Sequence, residues 1–405
     1  MSEQRIAVVG TGANGAAIAA DMTDAGFDVT GFDQWPAHVE AIRANGLTVR
    51  SPGGEEKVTQ LDIHHLCEVA EVKEPFDLVY IVTKAYDARW HSALIKSVLK
   101  PDGLAVGLQN GMTLDDMADV LGPERTFASA IEIAGNCFEP GVVERQTPPE
   151  GCWFALGPYD ERSPFDRAEE LAVPLRTAGT VEVTDDPRSA KWMKLVANAA
   201  EMLPSAILGV PLVAALHVDG MREVMDAAGT EALEAALGTG SKIVPMFGQE
   251  GIDELPPERY SAALLDAVLA GWSLEDTKVA ILQDWLKGRK GEGEEMSGLV
   301  VEEQEKLGAD APVNRMLVEL SRQIESGELK TEEIATEVFF LPAASHTEKD
   351  GSFTNTQRLL QWHWQAVEPK HDCRSELWFY FHLGRMIRSK LQGSKEPRAE
   401  LVQLL

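Results

Sequence analysis

Lys194 and Asn198 stand four residues apart in Lys191-Trp192-Met193-Lys194-Leu195-Val196-Ala197-Asn198, so on a helix they share one face and can reach one ligand. Lys84 follows the apolar run 78–83, and Asn110 follows the apolar run 104–109 just before Gly111. Polar residues there matter because an open α/β sheet binds its ligand beyond the carboxyl ends of its strands. Each also has a plain structural reading: a solvated loop lysine for Lys84, a turn for Asn110-Gly111, a solvated helix face for Lys194. The strongest local signal is Gly10-Thr11-Gly12-Ala13-Asn14-Gly15, which links an apolar run at 6–9 to a small-residue helical run at 16–22. Gly10 permits the tight turn, Gly12 lets backbone approach a pyrophosphate, and Gly15 lets helix and strand pack closely. The helix start then aims bare N–H groups at the anion. A second strand pattern at 27–32 ends on Asp33, placed to hydrogen-bond a ribose 2′-hydroxyl.

These residues need a doubly wound parallel sheet to position them. Strand patterns fall at 6–9, 29–32, 78–83, 104–109 and 126–133, alternating with helical ones. Two further stretches, 142–146 and 152–156, flank Pro148-Pro149-Glu150-Gly151 and are expected as a hairpin at the sheet edge. After Pro187 the texture becomes helical, with patterns at 190–202, 213–237, 261–269, 294–307 and 312–326. The expected organisation is a Rossmann-type domain at 1–187, an all-helical domain at 188–328 and a C-terminal appendage at 329–405.

The chain has 405 residues and a net charge of −28, which speaks against a nucleic-acid partner. Almost all of that acidity lies before residue 331, whereas the last 75 residues are near charge balance and hold a third of the aromatics. Four cysteines (Cys67, Cys137, Cys152 and Cys373) form no CxxC pair and no zinc-spaced cluster, so no metal is expected. The N-terminus lacks a signal-peptide pattern and no run is long enough for a membrane span, so a cytoplasmic protein without a membrane partner is expected.

Taken jointly, the Gly10 to Gly15 turn, Thr83-Lys84-Ala85-Tyr86, Leu108-Gln109-Asn110-Gly111-Met112, Trp192-Met193-Lys194-Leu195 with Asn198, and Leu282-Gln283-Asp284 ahead of Glu292 resemble, in order and spacing, the ketopantoate reductase family over residues 1 to about 328. The resemblance implies reduction of a 2-oxo acid to a 2-hydroxy acid with a nicotinamide cofactor in a cleft between the two domains, and a homodimer. By position, Lys194 resembles the catalytic lysine, Asn110 the asparagine near nicotinamide and substrate, Asn198 a substrate contact, Lys84 a cofactor-side residue, and Glu292 the acid opposite the lysine. An ammonium at Lys194 suits the task, since negative charge develops on the carbonyl oxygen as hydride arrives. Glu292 also reads as one member of a solvated acidic run reaching Glu295.

The departures carry information. Met202, Leu212 and Ala280 fall where the family has polar residues, so the resemblance implies the reaction type more firmly than the substrate. Asp33 replaces the basic residue that receives the 2′-phosphate of NADP, which points to NAD(H). Two other readings of the same features are a dinucleotide-sensing protein without turnover and a β-hydroxyacid or phosphogluconate-type dehydrogenase.

Residues 334 to about 392, including Gly351-Ser352-Phe353-Thr354-Asn355-Thr356 and Ser375-Glu376-Leu377-Trp378-Phe379, resemble an internal piece of the molybdopterin-dependent formate dehydrogenase large subunit. That family uses the Gly-Ser-Phe-Thr-Asn-Thr stretch to help hold a pterin dinucleotide. The rest of the cofactor cradle and any iron–sulfur cysteine array are missing, so a fused, non-catalytic fragment that packs poorly is expected.

Overall fold

The structure, a computed structural model, describes residues 4–248, 251–329, 351–354, 360–363 and 374–391. The chain forms two compact units, Met1–Glu333 and Ile334–Leu405. The first begins with β1 (Arg5–Val9), α1 (Ala13–Asp24), β2 (Asp28–Asp33), α2 (Pro36–Asn45), β3 (Leu47–Arg50), β4 (Glu56–Thr59), β5 (Asp62–His65) and β6 (Phe76–Ile81). It continues through α3 (Ala88–Ile95), β7 (Leu99–Gly107), α4 (Leu114–Leu121), β8 (Thr126–Glu132), β9 (Gly135–Asn136), β10 (Val142–Arg145), β11 (Trp153–Pro158), α5 (Ala168–Leu175) and β12 (Thr180–Val183).

Eight strands make the main sheet in the order β12-β11-β8-β7-β6-β1-β2-β5. It is parallel from β8 to β5, while β11 pairs antiparallel with β8 and parallel with β12. Strand β1 shows why the central strands are apolar throughout. Its Ile6 and Val8 face the layer containing α1 and α5, and its Ala7 and Val9 face the layer containing α3 and α4. The chain order reverses between β1 and β6, so their carboxyl ends open a crevice lined by Gly10 on one side and Thr83 and Lys84 on the other.

The expected edge hairpin does not form. Strand β10 joins a separate four-stranded sheet (β4-β3-β10-β9), pairing parallel with β3 and antiparallel with β9, while β11 enters the main sheet beside β8. Pro148 and Pro149 lack the N–H groups a ladder needs, and the chain turns there in a short 3₁₀ segment, Pro149–Gly151.

The helical half contains α6 (Pro187–Leu208), α7 (Leu212–Ala215), α8 (Met221–Gly238), α9 (Pro257–Trp272), α10 (Ala280–Leu286), α11 (Leu299–Lys306) and α12 (Pro312–Ser326). The pattern expected as one helix at 213–237 divides into α7 and α8, with Gly220 at φ +81° ahead of α8. A π-helical turn, Glu294–Gly298, leads into α11. Helix α6 organises this half. Asp186 caps it by accepting the Ser189 N–H at 3.0 Å, Pro187 opens it, and Gly209 closes it at φ +69°. Between those ends it is buried on nearly every side, against β8, α8, α9, α10 and α12.

In the second unit, β13 (Gly351–Thr354) and β14 (Leu360–His363) pair antiparallel, and α13 (Glu376–Leu391) leaves Trp378, Tyr380, Phe381, Met386 and Ile387 exposed. Of the span 334 to about 392 singled out above, residues 334–350, 355–359, 364–373 and 392, Cys373 among them, lie outside the described residues. Among the described residues no helix is long and apolar enough to cross a membrane.

The glycine turn separates packing from binding. A Cβ at Gly15 would sit 1.9 Å from the Gly10 carbonyl oxygen, whereas one at Gly12 meets nothing within 4 Å. Gly15→Ala is therefore expected to cost at least ~1–3 kcal/mol through overpacking, read as a lowered melting temperature. Gly12→Ala is expected to melt like the parent yet bind a dinucleotide more weakly; equal melting of both variants would contradict this division.

Candidate active site

The glycine turn is fixed from both sides. The Gly10 N–H donates to Phe32 O at 2.8 Å, and Val82 N–H donates to Val9 O at 2.8 Å, holding β1, β2 and β6 in register at the crevice. Buried His38 braces the loop. Its Nδ1 accepts from the Gly141 N–H at 2.9 Å, which leaves Nε2 to donate to the Thr11 carbonyl at 2.9 Å. Burial lowers the His38 pKa, in keeping with this neutral ring. Asp33, buried at the end of β2, accepts the Trp35 N–H at 2.8 Å and the Thr11 hydroxyl at 3.3 Å. Trp35 stacks on His38 and carries the Arg289 guanidinium 5.1 Å from its ring centroid on the way into the same cavity. Gly10, Gly12, Ala13, Asn14, Asp33, Lys84 and Asn110 all line that cavity, while Gly15 is buried against the turn.

The crevice suits a dinucleotide. The open space over Gly12 is a cradle that a Cβ would enter, and the buried Thr83 hydroxyl oxygen at the cavity wall has no hydrogen-bond partner. Lys84 crosses from the sheet to the helical half, with its Nζ 2.5 Å from Asp284 Oδ2 and 3.0 Å from Glu292 Oε2. Glu292 Oε1 accepts the Ala85 N–H at 2.8 Å. Burial works against the Lys84 charge, but Glu292 and Asp284 outweigh it and raise its pKa. Glu292 thus faces Lys84, and the carboxylates that meet Lys194 are others.

Those others are Glu132, at the end of β8, and Glu201, two turns further along α6. The Lys194 Nζ hydrogen-bonds Glu132 Oε2 and lies 3.9 Å from Glu201 Oε1, all three side chains being buried. Burial pulls the Lys194 pKa down, and the two carboxylates more than reverse it, so the ammonium persists. Burial pushes the Glu201 carboxyl up to about 7, with Lys194 opposing and Glu132 adding to the rise. Lys194, Glu132, Glu201 and Asn110 line a second cavity that shares Asn14, Asn110 and Gln283 with the first.

Asn110 stands where the two cavities meet, and Asn198 holds it there by donating from Nδ2 to Asn110 Oδ1 at 3.2 Å. Asn198 itself is fully buried and lines neither cavity, with its Oδ1 left unpartnered. Two turns back on α6, Lys191 donates to the Gln109 carbonyl at 2.6 Å. Burial lowers its pKa to about 7 despite the pull of Glu292. The sequence reading missed Lys191, Glu132 and Glu201. Lys191 and Glu201 lie three residues before and seven after Lys194, a helical spacing that could have raised them. Glu132 had no local signal.

Comparison with known proteins bears on the two halves of this unit. The family model described as "Ketopantoate reductase PanE/ApbA" matches residues 6–159, and that described as "Ketopantoate reductase PanE/ApbA C terminal" matches residues 186–325. A 2-dehydropantoate 2-reductase of Archaeoglobus fulgidus is 28% identical over 334 residues, 81% of this chain and 100% of that protein. The crystal structure of 2-dehydropantoate 2-reductase from Geobacter metallireducens superposes with a TM-score of 0.67 at 27% identity, covering 79% of this chain and 99% of that one. A D-mandelate dehydrogenase with NADH and anilino(oxo)acetate shares the fold, with a TM-score of 0.70 at 20% identity, over 80% of this chain and 99% of that one. Separately, the nitrate-inducible formate dehydrogenase major subunit of Escherichia coli is 35% identical over 77 residues, 18% of this chain and 8% of that protein. With both halves of the first unit matched in order, the chain belongs to the ketopantoate reductase family.

Proposed function

We propose that the chain reduces a 2-oxo acid, ketopantoate or a related acid, to the 2-hydroxy acid, with Lys194 as general acid and NAD(H) as the preferred cofactor. The observation that carries this reading is the seat of Lys194: a buried ammonium, kept charged by Glu132, in a cavity that adjoins the glycine-turn crevice at Asn110. When bound, a nicotinamide dinucleotide supplies the hydride. Lys194 stabilises the negative charge that grows on the carbonyl oxygen and gives that oxygen its proton from Nζ. The amine left behind is within 3.9 Å of Glu201, whose carboxyl holds a proton below about pH 7 and can restore the ammonium.

Asn110 orients the groups between the cavities, and Asn198 and Lys191 position Asn110 and its loop. Glu292 and Asp284 hold Lys84 at the cofactor side, tying the helical half to the crevice. Asp33 supports NAD(H), because a carboxylate accepts from a free ribose 2′-hydroxyl and repels a phosphate. Arg289 and Lys287 line the same cavity and support a second reading, in which they offset Asp33 and admit NADP(H).

Purified protein mixed with NADH or NADPH and a panel of 2-oxo acids tests these roles together. Lys194→Ala is expected to lose about 100- to 10,000-fold in turnover while its dissociation constant for NADH stays within a few-fold. NADH is expected to bind more tightly than NADPH, and Asp33→Ala to narrow the gap. Turnover retained by Lys194→Ala would contradict the mechanism, and tighter binding of NADPH would favour the second reading.

A further inference from the structure

The cavity that holds Lys194 has one chemical character near the ammonium and another beyond it. Past Lys194 its wall includes Met202, Leu212, Val268, Trp272 and Val279 from the helical half, faced by Ile131 of β8, with Ser273, Thr277 and Lys278 the polar residues beside them. The ring of Phe247 lies 5.3 Å from Lys194 Nζ and packs between Trp272, at 5.0 Å, and Trp153, at 5.6 Å. The polar edge of Trp272 is already used, since its Nε1 donates to the Gly151 carbonyl at 2.8 Å, leaving only hydrocarbon for a ligand. Phe247 has φ +59°, a region that side chains disfavour, so its ring is held against this wall at some backbone cost.

Several polar groups along the same wall are also committed. Gln283 spends its amide donors on the Lys278 carbonyl at 2.9 Å and the Gly135 carbonyl at 3.3 Å, and the Ser273 hydroxyl donates to the Val268 carbonyl at 3.2 Å. A hydroxyl on a substrate side chain lying against Met202, Leu212 and Trp272 would leave water for thioether, alkyl and aromatic groups. A polar group buried without a partner costs about 1–3 kcal/mol, roughly 5- to 150-fold in affinity. An alkyl or aryl group there gains instead from leaving water.

We propose that this enzyme takes 2-oxo acids whose side chain is apolar, branched aliphatic or aromatic and free of hydroxyl groups, with Met202, Leu212 and Trp272 setting that preference. The proposal rests on the reductase reading given above, and concerns which acid is reduced rather than how.

The full-length protein should be assayed with NADH against 4-methyl-2-oxopentanoate, phenylglyoxylate and ketopantoate, as the parent and as Met202→Asn. The expected result is a kcat/KM at least tenfold higher for one of the two apolar acids than for ketopantoate, with the gap narrowed several-fold in Met202→Asn. Equal or better use of ketopantoate by the parent overturns the proposal and leaves the reductase reading standing. A parent that prefers an apolar acid while Met202→Asn keeps the full gap removes Met202 from the proposed determinants. Failure of the parent to turn over any of the three acids, with NADH still bound, overturns the reductase reading and the substrate class with it.

Discussion

A buried ion pair joins the two halves of the first unit. Lys194 comes from α6 and Glu132 from the end of β8, so the helical half delivers its ammonium to the sheet only while that carboxylate receives it. Removing one partner of such a pair typically costs about 3–5 kcal/mol, because the other is left charged in a dry site. The pair also sets the chemistry. Without an opposing charge, burial would strip the Lys194 proton, and a neutral amine cannot act as an acid.

Most of the surrounding architecture serves that placement. Asp186, Pro187 and Gly209 fix the ends of α6, and its burial on almost all sides leaves little freedom to slide. From this one helix, Lys191 reaches the Gln109 carbonyl, Asn198 reaches Asn110, and Glu201 completes the surroundings of Lys194. The parallel sheet contributes the other wall. Its reversal between β1 and β6 opens the crevice over Gly12, and Lys84 is anchored across it by Asp284 and Glu292. The site is thus built on a strand end and a helix face rather than on long loops.

The sequence made the cofactor side readable because its signals are local. Gly10, Gly12 and Gly15 have steric jobs that fall within six residues, and Asp33 follows at a strand end. Lys194, Asn198 and Asn110 stood out through the joint pattern of the resemblance, which also matched the order of the two halves. Glu132 was invisible because nothing near it in the chain marks it; only the pairing of β8 with β7 and β11 brings it under α6. Glu292 was assigned to the wrong lysine for the same reason, since which of Lys84 and Lys194 it meets depends on how α10 and the following turn dock on the sheet. The 142–146 and 152–156 stretches were read as a hairpin from proximity alone, whereas strand β3, too short to signal itself, captures β10 in another sheet.

The dependence of Lys194 on Glu132 can be measured through the pH profile of single-turnover NADH oxidation in Glu132→Gln. Loss of the carboxylate lets burial lower the Lys194 pKa, so the alkaline limb of the profile should move to lower pH by at least one unit, with NADH affinity little changed. A profile that superimposes on that of the parent would show that Glu132 does not maintain the acid, and would contradict the role given to Lys194.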